Sequence, residues 1–279
     1  MAEKIKDMTR GKPAGLIFTF ALPLMLGNVF QQLYTVVDTA VVGQFVGVEA
    51  LASIGAADWP NWMVLGIVTG FAQGFCILVS QNFGAGDYDG MRKSISHTFG
   101  LGFALALLIT ALAHLIAHPL LLFLNTPDDV IDGSLLYLRI TFSGIIVIMA
   151  YNLFSSVLRA LGDSKSPLYA MIIAALLNTG LDILFVWAFH WGIAGAAVAT
   201  SLSQCVGGLL PLLYFLGKWN RSELHLTRFR FDGRALGRIC GNGSSELMSN
   251  ISMSLVGMLY NAQLMRYGGQ NGIAAYGVL

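Results

Sequence analysis

Of the 279 residues, 56% are hydrophobic and only 11% are charged, where a soluble domain holds about 25% charged residues. A soluble chain of this length could not hide so much apolar surface, so the composition excludes a water-soluble globular protein and implies a polytopic membrane protein. The 16 Lys and Arg nearly balance the 15 Asp and Glu, leaving no net basic field for nucleic acid, and Cys76, Cys205 and Cys240 show neither metal-ligand spacing nor a disulfide framework.

Cut at its charged and Pro/Gly-rich stretches, the chain gives seven predicted spans of an all-α membrane helix bundle. They cover 16–46, 52–80, 94–117, 134–158, 167–188, 193–217 and 240–265. Each has the roughly 20 residues that a hydrocarbon core of about 30 Å demands. Scattered Gly, Asn, Gln, Ser and Thr within them suit helices packed on other helices. Span 1 follows a charged stretch, Met1 to Lys12, lacks a small-residue cleavage site and precedes further spans, so no removable signal peptide is expected. Pro23 lies inside span 1, removes a backbone hydrogen bond and predicts a kink, either a static bend or a moving hinge. Gln31 and Tyr34 fall near the face of Asp38 on the same span and line a cavity or simply pack. Asn152 in span 4 is assigned with them to the cavity-facing surface. Arg139 sits near the outer start of span 4, where an arginine snorkels to the interface. Glu246 in span 7 reads as a wet helix end.

The basic residues fix an orientation. Lys4, Lys6, Arg10 and Lys12 precede span 1; Arg92 and Lys93 lie between spans 2 and 3; Arg159 and Lys165 lie between spans 4 and 5; Lys218, Arg221, Arg228, Arg230, Arg234 and Arg238 lie between spans 6 and 7. The alternate connections, near Glu49 to Asp58, His118 to Asp132 and His190 to Trp191, hold no Lys or Arg. This alternation predicts a cytoplasmic N-terminus and, after seven spans, an outer Leu279. The basic run before span 7 is read as a topology signal rather than a nucleic-acid or headgroup patch.

A carboxylate near the bilayer centre costs at least about 2.5 kcal/mol, and Asp38 and Asp182 are the two clear cases. Counted from the outer ends of their spans, Asp38, Asp182 and Thr200 share one depth, roughly 10 Å below the surface at about 1.5 Å per residue. Asn178 precedes Asp182 by four residues and projects from the same helix face. Two carboxylates, an amide and a hydroxyl at one level offer oxygen ligands to a hard cation such as sodium, or a pair that shares a proton. The alternative is a hydrogen-bonded network that only holds the bundle together.

Gly47 to Gly55 after span 1 and Gly269 to Gly277 after span 7 echo one another, each with a glycine, a short polar stretch, an apolar run and a second glycine. A six-helix period of this kind fits parallel repeats related by an axis along the membrane normal. Residues 1–238 are then a six-helix lobe with its basic linker, and 239–279 begin a second lobe that the chain does not complete.

Several ordered stretches resemble the multidrug and toxic compound extrusion (MATE) transporters. They are Ala21-Leu22-Pro23 through Val37-Asp38-Thr39 to Val42-Gly43, Ser80-Gln81-Asn82-Phe83-Gly84-Ala85-Gly86, Leu158 to Lys165, Asn178 to Asp182, and Trp191 to Thr200. The resemblance implies a twelve-helix antiporter in the plasma (inner) membrane, with two six-helix lobes around a cavity. It would export organic, often cationic, drug-like compounds in exchange for sodium or protons. It places Asp38, Asn178, Asp182 and Thr200 in the coupling site with Tyr137 as a neighbour, and Pro23 at the bend of the first helix. The expected partners are small-molecule substrates, membrane lipid and the C-terminal lobe, with no nucleic acid and no cofactor beyond the coupling ion. Gly243-Ser244-Ser245 stands where a Gly-x-Pro is common, and Glu246 does not match a coupling carboxylate of another subgroup.

Two other readings compete. A lipid or lipid-linked oligosaccharide flippase of the same superfamily would carry several basic residues in its cavity, whereas Arg139 alone falls inside the first six spans, close to an interface. An intramembrane enzyme would need a nucleophile and base, or a metal triad, at one depth. His97, His114, His118, His190 and His225 all lie at or near span ends and none pairs with Asp38 or Asp182 in spacing.

Overall fold

A computed structural model describes residues 13–46, 48–124, 126–219 and 232–278, which are all-helical apart from short turns. In chain order the helices are α1 (Pro13–Phe45), α2 (Val48–Gly84), α3 (Tyr88–Phe123), α4 (Asp128–Ser143), α5 (Ile145–Ala160), α6 (Lys165–Asp182), α7 (Gly192–Trp219) and α8 (Gly233–Val278). A π-helical turn, Ile183–Ala188, extends α6. Among the described residues α1, α2, α3, α6 with its π turn, and α7 are long and apolar enough to cross a membrane, and α4 with α5 makes a sixth span. The chain is a multi-pass integral membrane protein of all-α architecture.

Three helices start from the same device. Asp87, Asp163 and Asp232 stand just before α3, α6 and α8, and each carboxylate accepts backbone N–H groups that have no partner within the helix: Gly90 at 2.9 Å, Lys165 and Ser166 at 3.2 and 3.1 Å, and Arg234 and Ala235 at 3.0 and 3.3 Å. Gly86 and Gly162, at φ of 72° and 85°, reverse the chain just ahead of the first two. All three starts fall at connections that carry Lys or Arg.

The core forms around α2. Ala57, Val64, Val68, Ala72, Phe75 and Val79 recur at helical spacing and are buried against α3, α4 and α5. A separate cluster of Val41, Val186 and Ala196 joins α1, the π turn and α7. Without a hydrophobic drive between helices in lipid, close backbone approach supplies much of the contact energy. The α2–α8 crossing shows this at Gly74, where a Cβ would lie 2.6 Å from Gly243 Cα and 2.7 Å from the Asn242 carbonyl oxygen.

Several expectations change. The span foreseen over 134–158 is two helices bent by 47° at Gly144. The bend has a local cause, since the Gly144 N–H bonds the Thr141 carbonyl at 3.0 Å and tightens the end of α4. The seventh span, foreseen at 240–265, lies within a 46-residue helix, α8, much of which is outside the described residues among which membrane-crossing helices are identified. Polar groups along it bond their own backbone: Ser244 to Cys240, Ser249 to Ser245 and Asn250 to Glu246, each donating to the carbonyl one turn back. The outer connection placed near Glu49 to Asp58 is helical from Val48, so Asp58 lies ten residues into α2 and within its apolar stretch. His114 is likewise nine residues inside the end of α3 rather than at a span end.

Candidate ion-coupling site

Asp182 is the last residue of α6, and its side chain is fully buried. Asn178, one turn earlier, is 2% exposed. Its amide nitrogen reaches Thr200 Oγ1 on α7 at 3.5 Å, while its carbonyl oxygen is buried with no hydrogen-bond partner among the described residues. Thr200 is half-buried, and its carbonyl accepts the Ser203 hydroxyl at 2.9 Å. The amide face offered by Asn178 is therefore an oxygen, the ligand type that hard cations take.

The positions converge through packing one turn further out. Val41, Val186 and Ala196 touch in one cluster, and they stand three residues after Asp38, four after Asp182 and four before Thr200. Moving one turn inward along each element brings the backbone of Asp38 to the level of Asp182 and Thr200. The Asp38 side chain itself lies outside the described residues, as does that of Tyr34. Tyr137 is buried on α4, a helix packed against α7.

The helix changes geometry at this point. From Ile183 to Ala188 the chain winds as a π turn, with the Phe189 N–H bonded to the Leu184 carbonyl at 3.0 Å. Such turns widen a helix and are frequent at functional sites. Phe185, Phe189 and Trp191 stack over its end, with Phe185 and Trp191 ring centroids 5.0 Å apart. This π turn escaped sequence reasoning, because an apolar run of Ile, Leu, Phe, Val and Trp carries no mark that separates π from α winding.

The other residues singled out are dispersed. Pro23 is buried within the continuous α1, one turn before Gly27, where α1 meets Leu168 and Met171 of α6. Gln31 is exposed on α1. Asn152 is half-buried, and its amide nitrogen is turned back to the Ile148 carbonyl at 2.9 Å, so that donor serves its own helix. Arg139 is exposed, the placement a snorkelling arginine requires.

Known proteins share this fold. The sequence model of the MatE family matches residues 23–184, a stretch that runs from Pro23 to two residues past Asp182. A probable multidrug resistance protein of Bacillus subtilis, YpnP, is 36% identical over 213 residues, which is 76% of this chain and 48% of that protein. The chain thus spans about half the length of the curated relatives it matches. A transporter of the MOP superfamily from Pyrococcus furiosus, described by a binding pocket of reverse polarity, superposes with a TM-score of 0.90 at 26% identity over 99% of this chain and 61% of its own. A MATE transporter in the bent conformation gives a TM-score of 0.90 at 26% identity over 99% of this chain and 62% of its own. With a family match over more than half of its residues and a helical bundle of the same form, the chain belongs to the MatE family.

Proposed function

We propose that this chain is the first lobe, with the opening helix of a second, of a cation-coupled multidrug efflux transporter. In that reading the complete protein exports organic, often cationic, compounds from the cytoplasm in exchange for sodium or protons. One observation carries it: a fully buried carboxylate, Asp182, one turn from a buried amide oxygen of Asn178 that meets no donor among the described residues, with Thr200 beside it on the next helix. A buried charge of this kind is expensive in a bilayer and is kept where it meets an ion. Asp38 supplies the second carboxylate from α1, and Tyr137 a neighbouring phenol. The curated relatives named for multidrug resistance or export support the substrate class.

The basic residues support a plasma (inner) membrane protein with its N-terminus in the cytoplasm. The division near residue 238 separates a six-helix lobe from the second repeat, and alternating access requires one repeat to move against the other. Pro23 leaves the Thr19 carbonyl without its usual donor, so α1 bends there at low cost as ion occupancy changes. Gln31, Tyr34 and Asn152 are proposed for the cavity wall. The flippase reading lacks support, since Arg139 is exposed and Arg159, at the end of α5, donates to Ser156 at 3.0 Å.

The test uses the full-length protein in vesicles with an imposed sodium or proton gradient. Asp182→Asn and Asp38→Asn are each expected to abolish gradient-driven export at unchanged protein level. Normal export by both variants would leave the buried polar group as a packing device only.

A further inference from the structure

Near its outer end α2 carries a carboxylate and two tryptophans that the ion site does not use. Asp58, Trp59 and Trp62 are exposed on a helix whose stretch from Ser53 to Gly84 is apolar enough to cross the membrane. Asp58, Trp62, Thr69 and Gln73 follow one another at intervals of four, seven and four residues, which keeps them within about 60° of one another around the helix. To one side of this stripe lies Ile54, packed on the cluster of Val41, Val186 and Ala196 from α1, the π turn and α7. To the other side lie Gly70 and Gly74, which press against α8. Among the described residues α1 and α8 do not meet, so the stripe borders the gap between them. A carboxylate and a glutamine amide are strongly disfavoured against hydrocarbon, whereas a water-filled gap between lobes solvates both.

Depth adds to the argument. The chain reverses between Phe45 and Val48, so α2 runs back inward from the outer end of α1. Asp58 lies one turn inward of Ile54, as Asp38 lies one turn inward of Val41, which brings the backbone of Asp58 to the level of the ion site on a different helix. No Lys or Arg pairs with Asp58 among the described residues. Asn61, three residues on and adjacent on the helix surface, has a buried carbonyl oxygen with no hydrogen-bond partner among the described residues. One turn of helix thus combines a negative charge without a counter-ion, an amide oxygen without a donor and an exposed indole.

We propose that Asp58, Asn61 and Trp62 form a binding site for an organic cation, separate from the site of the coupling ion. Asp58 supplies the opposite charge, Trp62 an aromatic face for an alkylated or delocalised cation, and Asn61 an acceptor for an N–H that the ligand carries. Trp59 and Met63, exposed on the adjoining flank, extend the apolar surface. The donor set selects this ligand over a metal ion. A hard cation takes several oxygens or keeps its water, whereas a weakly hydrated organic cation gains from a single carboxylate beside an indole. The inference rests on the reading that the complete protein handles organic cations, and it assigns residues that hold them.

The experiment measures equilibrium binding of radiolabelled tetraphenylphosphonium to the full-length protein in lipid nanodiscs at pH 8, with the neutral triphenylphosphine oxide as the uncharged counterpart. Wild type is expected to bind the cation saturably. Asp58→Asn should weaken that binding by about tenfold or more, leave the neutral compound unaffected and keep sodium-dependent thermal stabilisation. Asp58→Glu retains the charge and should bind the cation. Trp62→Leu should weaken cation binding several-fold and Trp62→Phe should preserve most of it. The proposal is overturned if wild type does not bind the cation, if Asp58→Asn binds it as wild type does, or if that variant loses both compounds equally. Unchanged cation binding in Trp62→Leu would reduce the indole to a membrane-interface anchor, and loss of sodium stabilisation in Asp58→Asn would move Asp58 into the ion site; either result also overturns it. Gradient-driven export, measured in parallel, separates the two readings. Cation binding through Asp58 without export would discard the efflux reading and leave the site, whereas export with undiminished affinity in Asp58→Asn would discard the site alone.

Discussion

Asn178 and Thr200 meet at 3.5 Å, the outer edge of hydrogen-bond length. A well-formed bond contributes about 0.5–1.5 kcal/mol net, and a stretched one less. If the pair only held the bundle together, it would be poorly built for that purpose. As part of an ion site it is reasonable, because a weak contact through the amide nitrogen leaves the Asn178 carbonyl oxygen, which has no partner among the described residues, for a third party. Thr200→Val is therefore expected to lower the unfolding free energy by less than about 1 kcal/mol. The same change should raise the ion concentration needed for half-maximal stabilisation by roughly tenfold, equivalent to about 1.4 kcal/mol. Thermal unfolding against sodium concentration and against pH measures both quantities, and a variant with unaltered ion response and a large stability loss would mark Thr200 as structural. Asp182 and Asn178 were legible in the sequence because a carboxylate stands out in an apolar run. Asp58 was not singled out, although it falls inside the span read at 52–80, because the same residues were also read as the end of an outer connection.

Elements differ in how tightly they touch, and glycines record it. A Cβ on Gly74 would meet backbone atoms of α8 at 2.6 and 2.7 Å, and backbone cannot step aside as a side chain can. A Cβ on Gly66, two turns away on the same helix, meets nothing within 4 Å. Gly74→Ala is expected to destabilise the protein by about 1–3 kcal/mol, the usual cost of overpacking. Gly66→Ala should be neutral or stabilising by roughly 0.4–1 kcal/mol, because the unfolded chain loses freedom. Unfolding of the two variants side by side in detergent checks the α2–α8 contact, and equal effects would show that the helices are not so close. Helix identity was readable from apolar length alone at this scale. The break at Gly144 and the π turn after Asp182 were not, because neither involves a proline and both lie inside uniformly apolar runs where winding is decided by tertiary contacts.

At the scale of the molecule, the proposed function puts what ion binding would require and what export would require in different places. Asn178, Asp182, Thr200 and the packing of Val41, Val186 and Ala196 that sets their level all belong to α1, α6, its π turn and α7. The six-helix bundle was foreseen because composition and charge alternation both act over the whole chain and leave few other solutions. Alternating access needs a second repeat for the first to move against, and α1 meanwhile exposes Ile17, Phe18, Met25, Val29, Leu33 and Val36 along its length. The 279-residue chain alone, reconstituted in vesicles, is therefore expected to bind the coupling ion and yet not move drug uphill. Ion-dependent protection against thermal unfolding should appear in this chain and vanish in its Asp182→Asn variant, while drug accumulation stays at the level of empty vesicles. Loss of ion protection in the unaltered chain would mean that the second lobe completes the ion site. Uphill transport by the chain on its own would mean that two copies can build the cavity between them, and the division of labour between lobes would have to be abandoned.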